Sequence, residues 1–385
     1  MDRRTIVAGA TGMLIVAAGV PVAAQSPSPA AESPSASAGG WTVLAEGLDG
    51  PRGITIGADG TLYVVESGEG GAETITTPLG TGQGGASAAI TAIKDGTATR
   101  VVEGLPSIVV GQEINGPADV AIKEDGTFVV PMPLGGGPEV RDAIPSPLGD
   151  NLGWLVNIAP DGTITQVADL VQWEADNNPD AADPGASVDS NPNGVALLPD
   201  GGTLVTDAGG NDLLWVGADG TVILVTTFPP TLNPGPPDPN ASPDPNASPV
   251  MIPTQAVPTA VVVGRDMAMY VSQLTGFPFP VGGASVFRVQ QDGTTEVYAD
   301  GFTNVIDLAF GPDDTLYVLE IAHNGLLSGD LTGGLWSVPA GGGEPTLLST
   351  DLQMPGGIAV GQDGTVYVTT GASIPNAGTV VSWRP

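Results

Sequence analysis

Gly47-Leu48-Asp49-Gly50-Pro51-Arg52-Gly53-Ile54-Thr55-Ile56-Gly57-Ala58-Asp59-Gly60-Thr61-Leu62-Tyr63-Val64 reads as a Pro/Gly entry, a short strand, an Asp-Gly turn and a second β-rich strand. Glycine supplies the positive φ of a tight turn, so Asp-Gly between two such strands is a strong hairpin signal. The unit recurs at 115–132 around Asp125-Gly126, at 191–207 around Asp200-Gly201 and at 354–370 around Asp363-Gly364. Two copies depart from it: 257–273 turns at Asp266-Met267 and 304–320 at Asp313-Asp314. The six copies stand about 61 residues apart on average. In β-rich sequence that period predicts propeller blades with inserted loops.

A second hairpin follows each of the first five copies, turning at Asp95-Gly96, Asp161-Gly162, Asp219-Gly220, Asp292-Gly293 and Gly341-Gly342-Gly343. The sixth copy is followed by one strand, 379–384. Its missing partner is at the other end of the chain, where 41–48 resembles the outer strands at 100–105, 296–302 and 347–352. The expected fold is therefore all-β: a six-bladed β-propeller closed by pairing of N- and C-terminal strands, with no long sheet edge exposed. An open β-sandwich is the plain alternative, and it leaves the displaced strand unexplained.

Composition narrows function. Among 385 residues, Gly 57 and Pro 37 exclude a helical bundle. Lys+Arg 10 against Asp+Glu 42 gives a formal charge of -32, which repels nucleic acid and anionic lipid but leaves cations and basic partners open. The absence of cysteine removes disulfides, thiolate metal sites and cysteine nucleophiles. Arg3 and Arg4, the apolar run 5–20 and Val22-Ala23-Ala24 read as a signal peptide over 1–24, cleaved near Ala24. The expected chain is thus secreted and monomeric, with a Ser/Pro/Ala-rich flexible linker at 25–40 and the propeller over 41–385. A disordered Pro-rich loop is expected about 230–256, where Asp-Pro-Asn-Ala-Ser-Pro occurs twice. No other window is apolar enough to span a bilayer, so the mature chain is expected to have no transmembrane segment.

In a propeller the second-to-third and fourth-to-first connections share one rim. The inserted segments 67–88, 133–150, 274–284, 321–333 and 371–377 fall in the first class, and 174–190 and 229–256 in the second. A small-molecule or protein partner is therefore expected on this face. Seven residues after each turn aspartate stand Glu66, Met132, Asp207, Gln273, Glu320 and Thr370. At the loop-side start of the innermost strands stand Arg52, Asp119, Asn193 and Asp307. Oxygen donors without thiols suit Ca2+ or another divalent cation, with Asp119, Asn193 and Asp307 as ligands. Three readings stand: a metal site, direct ligand binding, or hydrogen bonds to neighbouring backbone. Asn193 lies one place earlier in its strand than the two aspartates, and neighbouring strand residues face opposite ways. Arg52 can clamp an anion or pair with Glu66 or Glu320, and the ion pair is the expectation. His323, the sole histidine, is either a general base or a solvated loop residue. Phe277 and Phe279, held by prolines in a loop on the same rim, can cover the channel mouth, bind a flat ligand or simply pack. No nucleophile elbow, zinc helix or phosphate loop is present.

Leu274-Thr275-Gly276-Phe277-Pro278-Phe279-Pro280-Val281-Gly282 resembles a signature of the ScyD/ScyE family. So do Asp207-Ala208-Gly209-Gly210-Asn211-Asp212-Leu213-Leu214 and Phe302-Thr303-Asn304-Val305-Ile306-Asp307-Leu308-Ala309-Phe310, with Val257-Pro258-Thr259 and Asn177-Asn178-Pro179-Asp180. The resemblance runs from Trp41 onward and implies a secreted NHL/TolB-like propeller without established activity. Its founding members are encoded beside genes for the cyanobacterial sunscreen scytonemin. More distantly, Asn193-Gly194 and Asp307 resemble the gluconolactonase group, which implies a metal-dependent lactonase. The expected function is ligand or partner binding on the loop face, with a divalent-metal-dependent lactonase or esterase as the alternative.

Overall fold

A computed structural model describes residues 40–111, 113–235 and 248–385. The expected signal peptide, the expected linker up to residue 39 and the spacer core at 236–247 lie outside the described residues.

Among the described residues, six sheets with four blade strands each form a ring. The first blade is Pro51–Ile56, Leu62–Glu66, Gly80–Lys94 and Thr97–Val110; the second is Ala121–Ile122, Phe128–Pro131, Trp154–Ile158 and Ile164–Asp169. The third runs Pro192–Leu197, Thr203–Asp207, Asp212–Val216, Val222–Thr227, and the fourth Pro258–Val263, Met269–Gln273, Ala284–Val289, Thr295–Phe302. The fifth is Val305–Phe310, Leu316–Glu320, Thr332–Val338 and Thr346–Gln353. The sixth takes Gly357–Val360, Val366–Thr370 and Gly378–Trp383 from the C-terminal end and Thr42–Leu48 from the N-terminal end. Its closing pair is antiparallel, with Thr42 opposite Ser382 and Leu48 opposite Gly378. Each inner strand contacts the next, from blade 1 round to blade 6 and back, so the ring closes as the displaced strand predicts.

Alternation along the strands gives each sheet an apolar face on either side, and the core lies between sheets. Val65, Ile90 and Val102 of blade 1 meet Phe128, Val130 and Val156 of blade 2. Comparable clusters fill each other interface, such as Val195, Val205 and Leu214 against Val129 and Leu155, or Val286 and Phe302 against Leu308 and Val318. On the turn rim, aspartate side chains cap their own hairpins: Asp59 Oδ1 accepts Thr61 N–H at 3.1 Å and Asp125 Oδ1 accepts Thr127 N–H at 2.9 Å. The two departing turns keep this geometry, with Met267 at φ 62° and Asp314 at φ 64° where the other copies use glycine. The aspartate side-chain hydrogen bond is common to all of them and does not depend on the residue that follows.

The opposite rim is more ordered than its sequence suggests. Segment 67–88, expected to be a loop, is mostly strand: Gly80–Lys94 and Thr97–Val110 run on past the blade, flanked by Glu73–Thr77 and Glu113–Asn115. The ends of the Pro-rich segment pair as a ribbon, Thr231–Pro234 with Met251–Thr254. Segment 174–190 begins inside a helix, Leu170–Asn177, whose first turn is capped by Asp169 Oδ1 accepting Gln172 N–H at 3.0 Å. Arg141, on the short helix Pro138–Asp142, holds that aspartate at 2.7 Å. Among the described residues no helix is long and apolar enough to cross a membrane.

Candidate functional site

Asp119, Asn193 and Asp307 all line one small cavity at the loop-side mouth of the channel, about 30 Å³, with Arg52, Thr259 and Ile306. Asn193 borders it despite its one-place offset. Asp119 and Asp307 also border the wider funnel below, about 500 Å³, which opens toward the turn rim between the inner strands. The two aspartates therefore form the partition of the channel.

Their oxygens are committed to backbone. Asp119 Oδ1 accepts its neighbour Val120 N–H at 2.7 Å, and Oδ2 accepts Val195 N–H of blade 3 at 2.9 Å. Asp307 repeats the device one half-turn round: Oδ1 takes Leu308 N–H at 2.8 Å and Oδ2 takes Ile358 N–H of blade 6 at 2.7 Å. Elsewhere in the ring Gly53 N–H donates to Ala118 O, Thr259 Oγ1 to Val305 O and Thr369 Oγ1 to Arg52 O. Gly53 is required here, because a methyl at that position would lie 2.1 Å from Asp119 Oδ1. Burial pushes the Asp119 carboxyl up to about 6 against these N–H donors. Burial, then the charge of Asp119, raises Asp307 well above the usual carboxylate range.

The acidic residues ending the second strands act alike, and side-chain length sets their reach. Glu66 Oε2 accepts Asp49 N–H at 2.7 Å and Glu320 Oε1 accepts Thr303 N–H at 2.6 Å, each two residues before its inner strand. The shorter Asp207 accepts Asn191 N–H, one residue before its strand, at 2.6 Å. Asp207 also takes Gly209 and Gly210 N–H, and Gln273 Oε1 takes Ser285 N–H at 3.1 Å. The expected ion pair between Arg52 and Glu66 or Glu320 does not form. Glu66 is paired instead with Arg100 of its own blade's outer strand, at 2.9 Å, which also reaches Asp49 at 2.7 Å. Glu320 meets His323 Nδ1 at 2.5 Å, and the imidazole lies 5.9 Å from the Trp336 ring. Arg52 donates to Ile114 O at 2.6 Å, and burial draws its guanidinium down to about 10 despite Glu113 nearby.

Phe279 packs among Ala208, Val257, Leu274, Ile321 and Leu326 beneath the loops, whereas Phe277 is 36% exposed at the rim. The larger opening on this face lies elsewhere. A cleft of about 590 Å³ runs between the blade 1 extension and the loops of blades 5 and 6. Ile114, Leu331, Met354 and Ile374 line it, with Glu69 and Asp330 at the polar rim. It adjoins the channel mouth through Ile114, whose carbonyl holds Arg52. Sequence reasoning missed this cleft because Gly111, Ile114 and Met354 carry no chemical motif; only the length of the flanking insertions marked the face.

No family model and no curated protein matches the chain. Among solved structures, the PQQ-bound aldose sugar dehydrogenase of Streptomyces coelicolor is similar over 91% of this chain and 99% of that one, at 13% identity and TM-score 0.52. A Bacteroides thetaiotaomicron protein of unknown function is similar over 89% of this chain and 72% of that one, at 12% identity and TM-score 0.50. Virginiamycin B lyase from Staphylococcus aureus is similar over 88% and 85%, at 16% identity and TM-score 0.45. At such identities the likeness is one of fold, and the fold is the six-bladed β-propeller.

Proposed function

We propose that this chain is a secreted, ScyD/ScyE-like binding propeller that takes a small, largely apolar molecule in the loop-face cleft. The carrying observation is the cleft itself: about 590 Å³, within the ~300–1,000 Å³ range of small-molecule sites, with an apolar floor and few polar groups. Arg52 has no carboxylate at ion-pair distance among the described residues and stands beside the cleft floor. An anionic or carbonyl group on the ligand would complement it.

The metal-dependent lactonase reading asks Asp119 and Asp307 to ligate a cation. Doing so would take their oxygens from four backbone N–H groups, two of which, on Val195 and Ile358, stitch neighbouring blades together. This cost favours binding over hydrolysis as the primary reading. A thermal-shift panel of aromatic carboxylates and lactones, run on the parent and on Ile374→Arg, tests it. Ile374 is 42% exposed, so the variant should fold. Hits lost in the variant support the cleft. No hits, or hits indifferent to the substitution, sink it, and lactone turnover abolished by Asp307→Ala would establish the alternative.

A further inference from the structure

A second group of acidic residues lies under the loop face between blades 2 and 3, apart from the channel and the cleft. Glu174 comes from the helix Leu170–Asn177, Asp180 from the turns after it, and Asp207 and Asp212 from the facing ends of two neighbouring strands of blade 3. Glu174 is 1% exposed, Asp180 3%, Asp207 1% and Asp212 0%. Asp207 is satisfied by backbone N–H groups and by Ser190 Oγ. The others are not: both oxygens of Glu174, both of Asp212 and Oδ1 of Asp180 lack any hydrogen-bond partner.

These side chains converge. The point where a Cβ on Gly210 would lie is 3.2 Å from Glu174 Oε2, 3.5 Å from Asp212 Oδ2 and 3.5 Å from Asp207 Cγ. Asp180 is brought alongside by Asn211 Nδ2, which donates to its Oδ2 at 3.0 Å. Asn211 Oδ1 in turn accepts Val257 N–H at 3.1 Å, tying the group to blade 4. No Lys, Arg or His ion-pairs with any of the four among the described residues. Buried carboxylates gathered without a counter-charge are strongly unfavourable, and five unpartnered oxygens without sulfur or nitrogen are the donor set of a hard cation.

We propose that Glu174, Asp180 and Asp212 bind one calcium ion that clamps the connection between blades 2 and 3 onto the third blade. Calcium fits better than magnesium because these oxygens come from a helix, a turn and a strand, and Ca2+ accepts irregular shells at about 2.3–2.6 Å. As placed, no three His, Cys, Asp or Glu side chains among the described residues stand so that they could hold a metal ion. Binding therefore turns Glu174 and Asp212 inward by rotamer changes, with Gly210 leaving the room.

The test uses the full chain, stripped with a chelator and exchanged into sodium chloride of physiological strength. Calorimetric titration with calcium chloride should show one ion per chain and raise Tm by about 5 °C. Glu174→Gln and Asp212→Asn should each abolish both effects, while calcium-free Tm stays level or rises, because a buried charge is removed. Asp180→Asn, which keeps a group opposite Asn211, should weaken binding at least tenfold, and Ile374→Arg in the cleft should leave the calcium response intact. Absence of heat and shift in the parent overturns the proposal. So does binding that survives both Glu174→Gln and Asp212→Asn, or an equal response to magnesium. If the variants fail to fold, the parent titration decides alone.

Discussion

Glu66 accepts Asp49 N–H, Thr91 Oγ1, and the Nε and Nη2 groups of Arg100, so a 1%-exposed carboxylate depends on one guanidinium for its counter-charge. Truncation by Arg100→Ala should cost about 2 kcal/mol in urea unfolding, below the ~3–5 of a fully buried pair because Arg100 is 36% exposed. An unchanged midpoint would show that the remaining donors suffice. Asp119 carries the opposite logic. Its folded carboxyl titrates at about 6 against 3.8 when free, so the folded state binds the proton more tightly. Its contribution is fully present below 3.8 and is lost as pH rises through about 6. Asp119→Asn should flatten the fall in unfolding free energy between those pH values by roughly 2 kcal/mol relative to the parent. Identical slopes in the two proteins would refute the assignment. Sequence alone placed both residues at the loop-side ends of blade strands, Glu66 at the end of a second strand and Asp119 at the start of an innermost one. It did not show what each would touch, because strand alternation fixes a face and not a partner.

Hairpins were the most legible elements, since Asp-Gly is a local signal with a local cause. The two departing turns show how far that cause extends: Met267 keeps φ 62° and is 40% exposed. Replacing it with glycine should stabilise the chain by about 1 kcal/mol, read as a higher urea midpoint with unchanged slope, because a left-handed residue with a Cβ is disfavoured. A lower midpoint would mean that Met267 contacts outweigh backbone relief. The helix Leu170–Asn177 was not legible, since it is two turns long and read as an insertion; its cap Asp169 was the available sign. The extended strands of blade 1 were hidden for another reason. Gly80-Thr81-Gly82-Gln83-Gly84-Gly85 looks like a loop, yet methyls at Gly82 and Gly84 would lie 2.1 Å from Val109 O and Ile75 Cδ1. Glycine there permits close packing of neighbouring strands, a role that composition cannot separate from turn formation.

The ring as a whole follows from one sequence observation, the displaced strand at 41–48, and that is where it is most vulnerable. A chain beginning at residue 49 would expose the Gly378–Trp383 edge and uncover Trp41's partners Leu335 and Leu352. Such a chain should melt at least about 10 °C lower or self-associate, as checked by scattering and thermal denaturation. A monomer of parental Tm would mean that the blade holds with three strands. The site was less legible than the ring because it is built between blades, by residues brought together only once closure has occurred. The same seam governs how the molecule can be made. Thr42–Leu48 leaves the ribosome before every other strand of the ring and Gly378–Trp383 after every other. The earliest strand therefore waits, unmated, while the other blades are made, and the toroid snaps shut only as a late, long-range event whose timing depends on keeping that first segment from meeting other partners.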